Sequence, residues 1–350
     1  MNDQPSIRPA ETLVSATQLT NAISVPEYGQ PVELARGVYL LRMPMPFRLN
    51  HINLYLLEDS EGWTLVDCGL NTPESKAVWE HVLATFLSRK PLTRIVVTHL
   101  HPDHIGCAQW LHEKTGAQIC MTPGEWRLAR EVFHLPIANP RRIEDHYRLL
   151  GLEDVRLSEM IKLAAGYRKM VKVLPENVSY LHEHETLEIG GRHWRILFGH
   201  GHSPACACLW DEAEQLLIVG DHVLPTISPN VNLLSVGPSN PLDDYLTSLG
   251  TFRNLPCSLV MPAHGTPSAR FRERIDELIH HHTERLHLLE SACSREARTA
   301  AECVPLLFAQ ELHKAQPFFA LGESAAHLVY LAERGSLKKE GEHTWTFAQQ

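Results

Sequence analysis

The sequence predicts an α/β fold, and two observations carry that prediction. Short apolar runs rich in β-branched residues, such as Arg94-Ile95-Val96-Val97, are typical of buried strands, and stretches with helical spacing lie at 73–88 and 104–115. In addition, His and Asp residues directly follow several of the apolar runs. Because α/β proteins carry their chemistry at strand ends, these polar groups are expected to meet at one edge of a sheet.

The N-terminal part of the chain begins with a polar arm and continues as a meander. Residues 1–30 are polar, with little periodicity, and are expected to form a loose arm. Three short strands are predicted at 38–43, 51–57 and 63–67, because apolar residues there are separated by turn residues. Asp67 closes this meander in the sequence Asp67-Cys68-Gly69.

The sequence THLHPDHIG, residues 98–106, follows the predicted strand at 94–97 and contains three imidazoles and a carboxylate. Neutral imidazole nitrogen and carboxylate oxygen bind zinc-like divalent ions at about 2.0–2.2 Å. In an extended turn, His99 and His101 point the same way, and Asp103 and His104 follow on the return. A His-rich surface loop is the alternative, and it is disfavoured once the further candidate ligands are counted.

Those further candidates also follow apolar runs. GHGHSP follows the run at 194–198, GDHVLP follows the run at 216–219, and PAHG ends the run at 259–263. Glycine lies beside the His or Asp in each motif, which lets the backbone approach closely. Two divalent ions fit this set, with a carboxylate able to bridge them because it has two oxygens. The first ion is assigned His99, His101 and His202, the second Asp103, His104 and His264, and the bridge Asp221.

These four motifs resemble those of the metallo-β-lactamase superfamily of binuclear metallohydrolases, over about residues 35–265. The resemblance implies a four-layer αβ/βα sandwich, with two mixed sheets face to face, helices outside and metals at one edge. It implies that Asp67 supports a ligand loop through hydrogen bonds without binding metal, and that Asp103 touches the reacting water as proton carrier. The metal ligands that it implies are His99, His101, Asp103, His104, His202, Asp221 and His264.

One departure from the family pattern lies next to these ligands. In the branch that the chain most resembles, GHSP is usually followed by Glu-His, whereas Ala205-Cys206 stands here. That pair does not bind metal, so metal binding is expected to survive. Cys206 and Cys208 alternate along a predicted strand and are interpreted as buried inert thiols. His200 and His222 match no ligand position and are interpreted as supporting or surface residues.

Residues 123–172 are the least typical of the family and are predicted to be mainly helical, with breaks at Pro136 and Pro140. A helical insertion beside a metal site is expected to act as a lid or pocket wall. Tyr167, Arg168 and Lys169 are candidate contacts for an anionic substrate, with a solvated helical face as the alternative.

The C-terminal segment is predicted to be helical, with helices at 271–289, 300–312 and 322–333 and then a short hairpin. This layout resembles the winged-helix appendage of one branch of the superfamily. Ten basic and ten acidic residues lie between positions 266 and 339, whereas a DNA-reading domain would show a basic excess. Packing, dimerisation or a pocket wall is therefore favoured, and Glu323 with His327 is interpreted as a structural pair. The predicted division is an arm at 1–30, a catalytic domain at 31–267 and a winged-helix-like domain at 268–350.

The composition of the chain restricts the cellular location and the binding partners that are expected for the protein. The chain has 350 residues, eight cysteines without a disulfide framework and an N-terminus unlike a secretory signal, so a cytoplasmic location is expected. No run of 18 apolar residues predicts a membrane span. The net charge of −9 disfavours nucleic acid as a partner, and a nucleic-acid site would require a local basic face. A homodimer is expected on base rates alone.

The sequence therefore predicts a cytoplasmic hydrolase with two divalent ions, in which a bridging hydroxide attacks a small-molecule ester, thioester or lactone. Zinc is the expected metal, and a ligand set without Cys would also accept iron or manganese. A single-strand-specific endoribonuclease of the same fold is the alternative, because that class also has a winged-helix tail. A third alternative, a non-catalytic ligand-binding protein, would have no need to keep every ligand.

Overall fold

The computed structural model describes residues 26–134, 140–308 and 316–350 of the chain. The predicted arm lies outside the described residues up to position 25. Positions 135–139, with the predicted break at Pro136, also lie outside them, as do 309–315.

The first sheet has seven strands that follow one another in sequence order. Its first four strands are antiparallel and the last three are added in parallel, so the predicted meander forms one half of a mixed sheet. The strands are β1 (Val32–Ala35), β2 (Val38–Pro44), β3 (His51–Glu58), β4 (Trp63–Val66), β5 (Leu92–Val96), β6 (Gln118–Met121) and β7 (Ser179–Tyr180).

The second sheet has five strands, which are antiparallel except for one parallel pair at the edge. Its strands are β8 (Thr186–Ile189), β9 (Arg192–Gly199), β10 (Cys206–Asp211), β11 (Leu216–Gly220) and β12 (Leu259–Pro262). A separate hairpin near the C-terminus pairs β13 (Leu337–Glu340) with β14 (Thr346–Gln349).

The α-helices of the described residues lie between and after these strands. They are α1 (Pro73–Ala84), α2 (Pro102–Ile105), α3 (Ala108–Thr115), α4 (Pro123–Ala129), α5 (Pro140–Leu149), α6 (Asp154–Arg168), α7 (Pro241–Phe252), α8 (Phe271–Cys293), α9 (Ala300–Leu307) and α10 (Gln316–Glu333). None of these helices is both long and apolar enough to cross a membrane.

The two sheets pack face to face, and the alternation of side chains along the strands shows why. In β3, Tyr55 joins an apolar cluster shared with the second sheet, whereas Leu54 and Leu56 face the cluster formed with α1 and α3. In β11, Ile218 faces the shared cluster and Leu217 faces the helices of the other side. Successive strand residues point to opposite faces, so both sheets are buried on both faces. The predicted four-layer αβ/βα sandwich is confirmed.

The C-terminal helices share their core with the outer face of the second sheet. One apolar cluster contains Leu217 of β11, Leu249 of α7, Ile275 of α8 and Leu328 of α10, together with Phe347 of the hairpin. Because this core is continuous, α10 is held firmly against the part of the chain that carries the predicted ligands. The division into separate domains and the winged-helix assignment stay predictions.

Several helix boundaries differ from the expected ones. The helix predicted at 73–88 ends at Ala84, the one predicted at 104–115 is divided into α2 and α3, and the one predicted at 300–312 ends at Leu307. The helix predicted at 271–289 continues to Cys293, and the helix predicted to begin at Gly322 begins at Gln316. Glycine weakens a helix interior by about 1 kcal/mol, so it suggested a boundary. Here Gly322 lies inside α10 because a Cβ atom at this position would lie 1.3 Å from Oδ1 of Asn232. The glycine permits close packing of α10 against the segment that contains Asn232.

Candidate metal centre and adjoining cavity

The loop after β5 is held by Asp67, which follows β4. The Asp67 carboxylate accepts hydrogen bonds from the Thr98 backbone N–H at 2.8 Å and from Nδ1 of His104 at 2.8 Å. Asp67 has a positive φ of 64°, a conformation that Asp adopts more readily than most residues. The loop-supporting hydrogen bonds implied by the family resemblance are therefore present in the structure.

Three imidazoles converge at one side of the site. Nε2 of His99 lies 3.0 Å from Nδ1 of His101 and 3.3 Å from Nε2 of His202. These nitrogens belong to a group in which all candidate ligand atoms lie within 4.8 Å of one another. Three neutral imidazole nitrogens at this spacing are suited to share one divalent ion.

A second group lies beside the first. Nε2 of His264 lies 3.2 Å from Oδ2 of Asp103, and Nε2 of His104 lies 3.6 Å from the same oxygen. Asp221 lies between the two groups, with its carboxylate 3.4 Å from His264 and 3.7 Å from His202. The structure thus brings together all seven residues that the sequence predicts as ligands.

The second ring nitrogen of three of these histidines points away from the centre and is fixed by an acceptor. Nδ1 of His264 donates to the His51 carbonyl at 2.8 Å, and Nδ1 of His202 donates to the Asn230 carbonyl at 2.8 Å. Nδ1 of His104 donates to Asp67. Each Nε2 is consequently the free nitrogen that faces the centre, an arrangement common among metal-binding histidines.

The charges of the cluster favour a cation. Burial lowers the pKa of His101 to about 3, so this imidazole is neutral and the lone pair of its unprotonated nitrogen is available. Burial raises the pKa of Asp103, but the neighbouring His104 and His264 outweigh it and lower that pKa to about 2. Asp103 is therefore ionised at neutral pH. Burial alone would lower the pKa of His264, but Asp221 and Asp103 outweigh it and raise that pKa to about 10. The carboxylates of the site thus attract a positive charge, which a proton on His264 or a metal ion would provide.

Two buried atoms identify where such a counter-charge fits. Nε2 of His104 and Oδ1 of Asp221 are buried, lie 3.6 Å apart and have no hydrogen-bond partner among the described residues. Leaving a buried polar group unsatisfied costs about 1–3 kcal/mol, and more for a charged one. A divalent ion between this nitrogen and this oxygen would bind to both atoms, so the residues fit a metal site.

Glu125 is a buried residue of this region that the sequence did not point to. It lies in α4 and accepts hydrogen bonds from the Ala205 N–H at 2.7 Å and the Leu100 N–H at 3.0 Å. It thereby ties the loop after β5 to the loop after β9. Burial raises the pKa of Glu125 to about 7. The spacing Thr122-x-x-Glu125 is the pattern of a helix capping box. That pattern gives no indication that the Glu125 carboxylate joins the two loops.

The Ala205-Cys206 departure fits the packing around α4. The Ala205 carbonyl accepts a hydrogen bond from the Thr122 hydroxyl at 2.9 Å, and Ala205 packs closely against Gly124. Ala205 is buried at this contact. Cys206 and Cys208 are buried on the same side, and the Cys208 thiol together with burial raises the pKa of Cys206. Both observations agree with the interpretation of inert thiols.

The other two histidines of these motifs lie outside the converging groups. Nδ1 of His200 donates to the Pro204 carbonyl at 2.6 Å. His222 is fully buried, and its Nε2 lies 3.0 Å from the Ser248 hydroxyl.

A cavity of about 590 Å³ lies beside the cluster, and His101 and His202 are among the residues that line it. Its wall is largely apolar, with contributions from α6, from α10 and from the irregular segment at 230–236. Tyr167 of α6 lines it and lies edge-on to His101, with 6.3 Å between ring centroids. Arg168 also lines the cavity, whereas Lys169 is exposed at the end of α6 and is not among the lining residues.

The family models decide the assignment. A model of the metallo-β-lactamase superfamily matches residues 48–264, and a model of the metallo-β-lactamase-like C-terminal domain matches residues 286–350. The chain belongs to the metallo-β-lactamase superfamily. With the His/Asp cluster in place, this family membership makes the chain a metallohydrolase.

Solved structures and curated proteins resemble this metallo-β-lactamase chain over most of its length. A β-lactamase domain protein from Burkholderia ambifaria is 39% identical, covers 94% of this chain and 97% of its own, and has a TM-score of 0.86. A metallo-β-lactamase family protein from Thermus thermophilus is 30% identical, covers 91% and 100%, and has a TM-score of 0.79. The probable metallo-hydrolase YqjP of Bacillus subtilis is 25% identical over 84% of this chain and 92% of its own length.

Proposed function

We propose that the protein is a two-metal hydrolase of a small-molecule ester, thioester or lactone with a bulky apolar group. The observation that carries the proposal is the cavity of about 590 Å³, which has largely apolar walls and is lined by His101 and His202 of the cluster. Cavities of about 300–1,000 Å³ with mostly apolar walls and a few convergent polar groups are typical of small-molecule sites. A substrate in this cavity would bring its reacting carbonyl to the cluster.

The same cavity argues against the endoribonuclease alternative. Its charged lining residues are Arg142, Arg168 and Glu131, so cations do not form a continuous track. The Arg142 guanidinium donates to the Ser235 carbonyl through Nε and Nη2, so it joins two parts of the cavity wall to each other. Binding an RNA backbone requires several cations that neutralise phosphates, and the net charge of −9 works against it.

Each group of the cluster has a proposed role. His99, His101 and His202 would hold one ion, and Asp103, His104 and His264 would hold the other, with Asp221 between them. When bound, the two ions would supply an activated water and polarise the substrate carbonyl. Zinc is proposed first, because His and carboxylate ligands suit it, and iron or manganese would also be accepted.

Asp103 is the proposed proton carrier. Its carboxylate is ionised at neutral pH, because the His104 and His264 imidazoles lower its pKa to about 2. During hydrolysis the water oxygen bonds to the acyl carbon, the carbon–oxygen or carbon–sulfur bond breaks, and one water proton is left over. Asp103 would accept that proton and return it to the departing alkoxide or thiolate, which gives an acid and an alcohol or thiol.

Metal content and a substrate panel test this proposal together. We expect about two divalent ions per chain by elemental analysis, with reversible loss of activity on chelation. The panel would contain acyl thioesters and esters from acetyl to phenylacetyl and decanoyl, lactones, a phosphodiester and short RNA. Turnover of acyl compounds would support the proposal, whereas cleavage of RNA alone would replace it with the endoribonuclease. Activity in a demonstrably metal-free sample would contradict it.

A matched pair of histidine variants sharpens this test. His101→Gln is expected to lower activity by at least about 10²- to 10³-fold, the scale of losing one electrostatic group from an active site, and to reduce bound metal. His280→Gln makes the same chemical change at an exposed position of α8 and is expected to change neither quantity. Full activity and metal content in His101→Gln would refute the proposed site.

A further inference from the structure

The support of His202 differs from that of the other candidate ligands. Its Nδ1 donates to the Asn230 carbonyl, and Asn230 lies in the segment between β11 and α7, where no helix or strand forms at 226–236. By contrast, the acceptor for His264 is His51 of β3, and the acceptor for His104 is Asp67, directly after β4. A carbonyl in an irregular segment needs another element to fix its position.

That element is α10. Nδ2 of Asn230 donates to Oε2 of Glu323 at 2.9 Å and approaches the Phe319 carbonyl at 3.4 Å. Three residues further along the segment, the Leu233 N–H donates to the Gly322 carbonyl at 3.1 Å. The close approach at Gly322 brings the segment directly against the helix. Both ends of this short stretch are therefore attached to one turn of α10.

Glu323 is itself held in place by a charge. It is only 5% exposed, and its Oε1 pairs with the Arg285 guanidinium of α8. A buried carboxylate without such a partner would be strongly destabilising. The pair thus fixes the carboxylate that Asn230 contacts, and the shared core keeps α8 and α10 against the sandwich.

We propose that Glu323, paired with Arg285, is a positioning residue for the metal centre. It fixes Asn230, and the Asn230 carbonyl in turn sets the ring orientation of His202. The proposal rests on the proposed metal site and adds that the site is complete only when the C-terminal helices are docked. Glu323 acts across 93 residues of sequence and touches neither metal nor substrate.

The test measures metal affinity and stability in three variants. We expect Glu323→Ala and Asn230→Ala to weaken the binding of the ion that is assigned to His202. The loss should be about 10- to 100-fold, as is typical when a supporting hydrogen bond is removed. The other ion should bind as in the parent protein. Glu323→Gln keeps an oxygen that accepts from Asn230 and should retain most of the affinity. Affinities would be measured by chelator competition with Zn²⁺, and the site geometry by the visible spectrum of the Co²⁺-loaded protein.

Ser324→Ala is the matched control for general loss of stability. Ser324 is the next residue of α10, is buried and donates to the Ala300 carbonyl of α9 at 2.8 Å, away from Asn230. Its removal should lower the melting temperature and leave metal affinity and the Co²⁺ spectrum unchanged. Equal loss of affinity in Ser324→Ala and Glu323→Ala would overturn the proposal, as would unchanged affinity in Glu323→Ala and Asn230→Ala.

A double variant adds a test that is independent of folding yield. If Asn230 and Glu323 act through one hydrogen bond, Asn230→Ala/Glu323→Ala should lose no more metal affinity than either single variant. Additive losses would contradict the proposal. A parent protein with fewer than two ions would instead contradict the proposed two-metal function, so the two failures are distinguishable.

Discussion

The two sides of the candidate metal centre are supported by different kinds of structure. On one side, Asp67 and β3 hold His104 and His264: besides the His51 carbonyl, Asn53 donates through Nδ2 to the Gly265 carbonyl at 2.7 Å, and Tyr55 donates to the Pro262 carbonyl at 2.7 Å. On the other side, His202 depends on an irregular segment and on α10. The first side is built by the sheet, and the second is built by contacts between distant parts of the chain.

This difference indicates how the two sides respond to change. Strands that are buried on both faces are held by many neighbours, so the loss of one hydrogen bond there is shared among several contacts. A segment without regular structure has few such contacts and opens more readily. On the strand-supported side, the loss of one neutral hydrogen bond is therefore expected to leave the ligands in place, and only the loss of a charged acceptor should have a large effect. The side of His202 is expected to be disturbed more readily by changes in distant parts of the chain.

The largest effect on metal affinity is expected for the support of His104. Asp67→Asn keeps the left-handed backbone, which Asn tolerates, but offers one carbonyl oxygen where two carboxylate oxygens accepted hydrogen bonds. We expect metal affinity to fall about 10- to 100-fold, because His104 loses a charged acceptor. Chelator competition with Zn²⁺ would measure it. A loss smaller than that in Glu323→Ala would show that the sheet holds His104 without this acceptor, and it would contradict the ranking.

The part of the site that the sequence predicts is the part made by strand ends. His99, His101, Asp103 and His104 lie within six residues after one apolar run, so local spacing sufficed to bring them together. His202, Asp221 and His264 each follow another apolar run, and the parallel and antiparallel pairing of the sheets places those ends at one edge. The spacing of apolar residues and the glycines beside the ends of the apolar runs are local properties of the sequence, and they predicted these strand ends well.

The supports of the site were not predictable in the same way. Glu125 falls in a capping-box pattern, and only the fold shows that its carboxylate instead reaches Leu100 and Ala205. Asn230 and Glu323 meet across 93 residues, and no local pattern encodes that contact. The first turns of α10, with Phe318, were missed because Gly322 suggested a later start. Contacts of this kind depend on tertiary packing, which overrides local propensity.

The next effect concerns Glu125, which joins the two sides. Glu125→Ala would leave the buried N–H groups of Leu100 and Ala205 without their acceptor, at about 2–6 kcal/mol in total. We expect the free energy of unfolding in urea to fall by this amount and metal affinity to fall with it. Glu125→Gln retains one acceptor oxygen and should recover about half of the loss. Unchanged stability in Glu125→Ala would mean that the two loops are held together by other contacts.

The smallest effect is expected on the side of α10, where Phe318 lines the cavity and stacks on Tyr167 with 6.2 Å between ring centroids. Phe318→Ala removes apolar surface that a bulky acyl group would contact, worth about 1–2 kcal/mol or roughly a 10-fold loss in kcat/KM. An acetyl substrate is too short to reach that wall and should be hydrolysed as by the parent protein. The ratio of decanoyl to acetyl kcat/KM is therefore the quantity to measure. An equal loss for both substrates, with metal content unchanged, would mean that Phe318 supports the site and does not select the acyl group. That result would mean that the His202 side of the site depends on Phe318 of α10 as well as on Glu323.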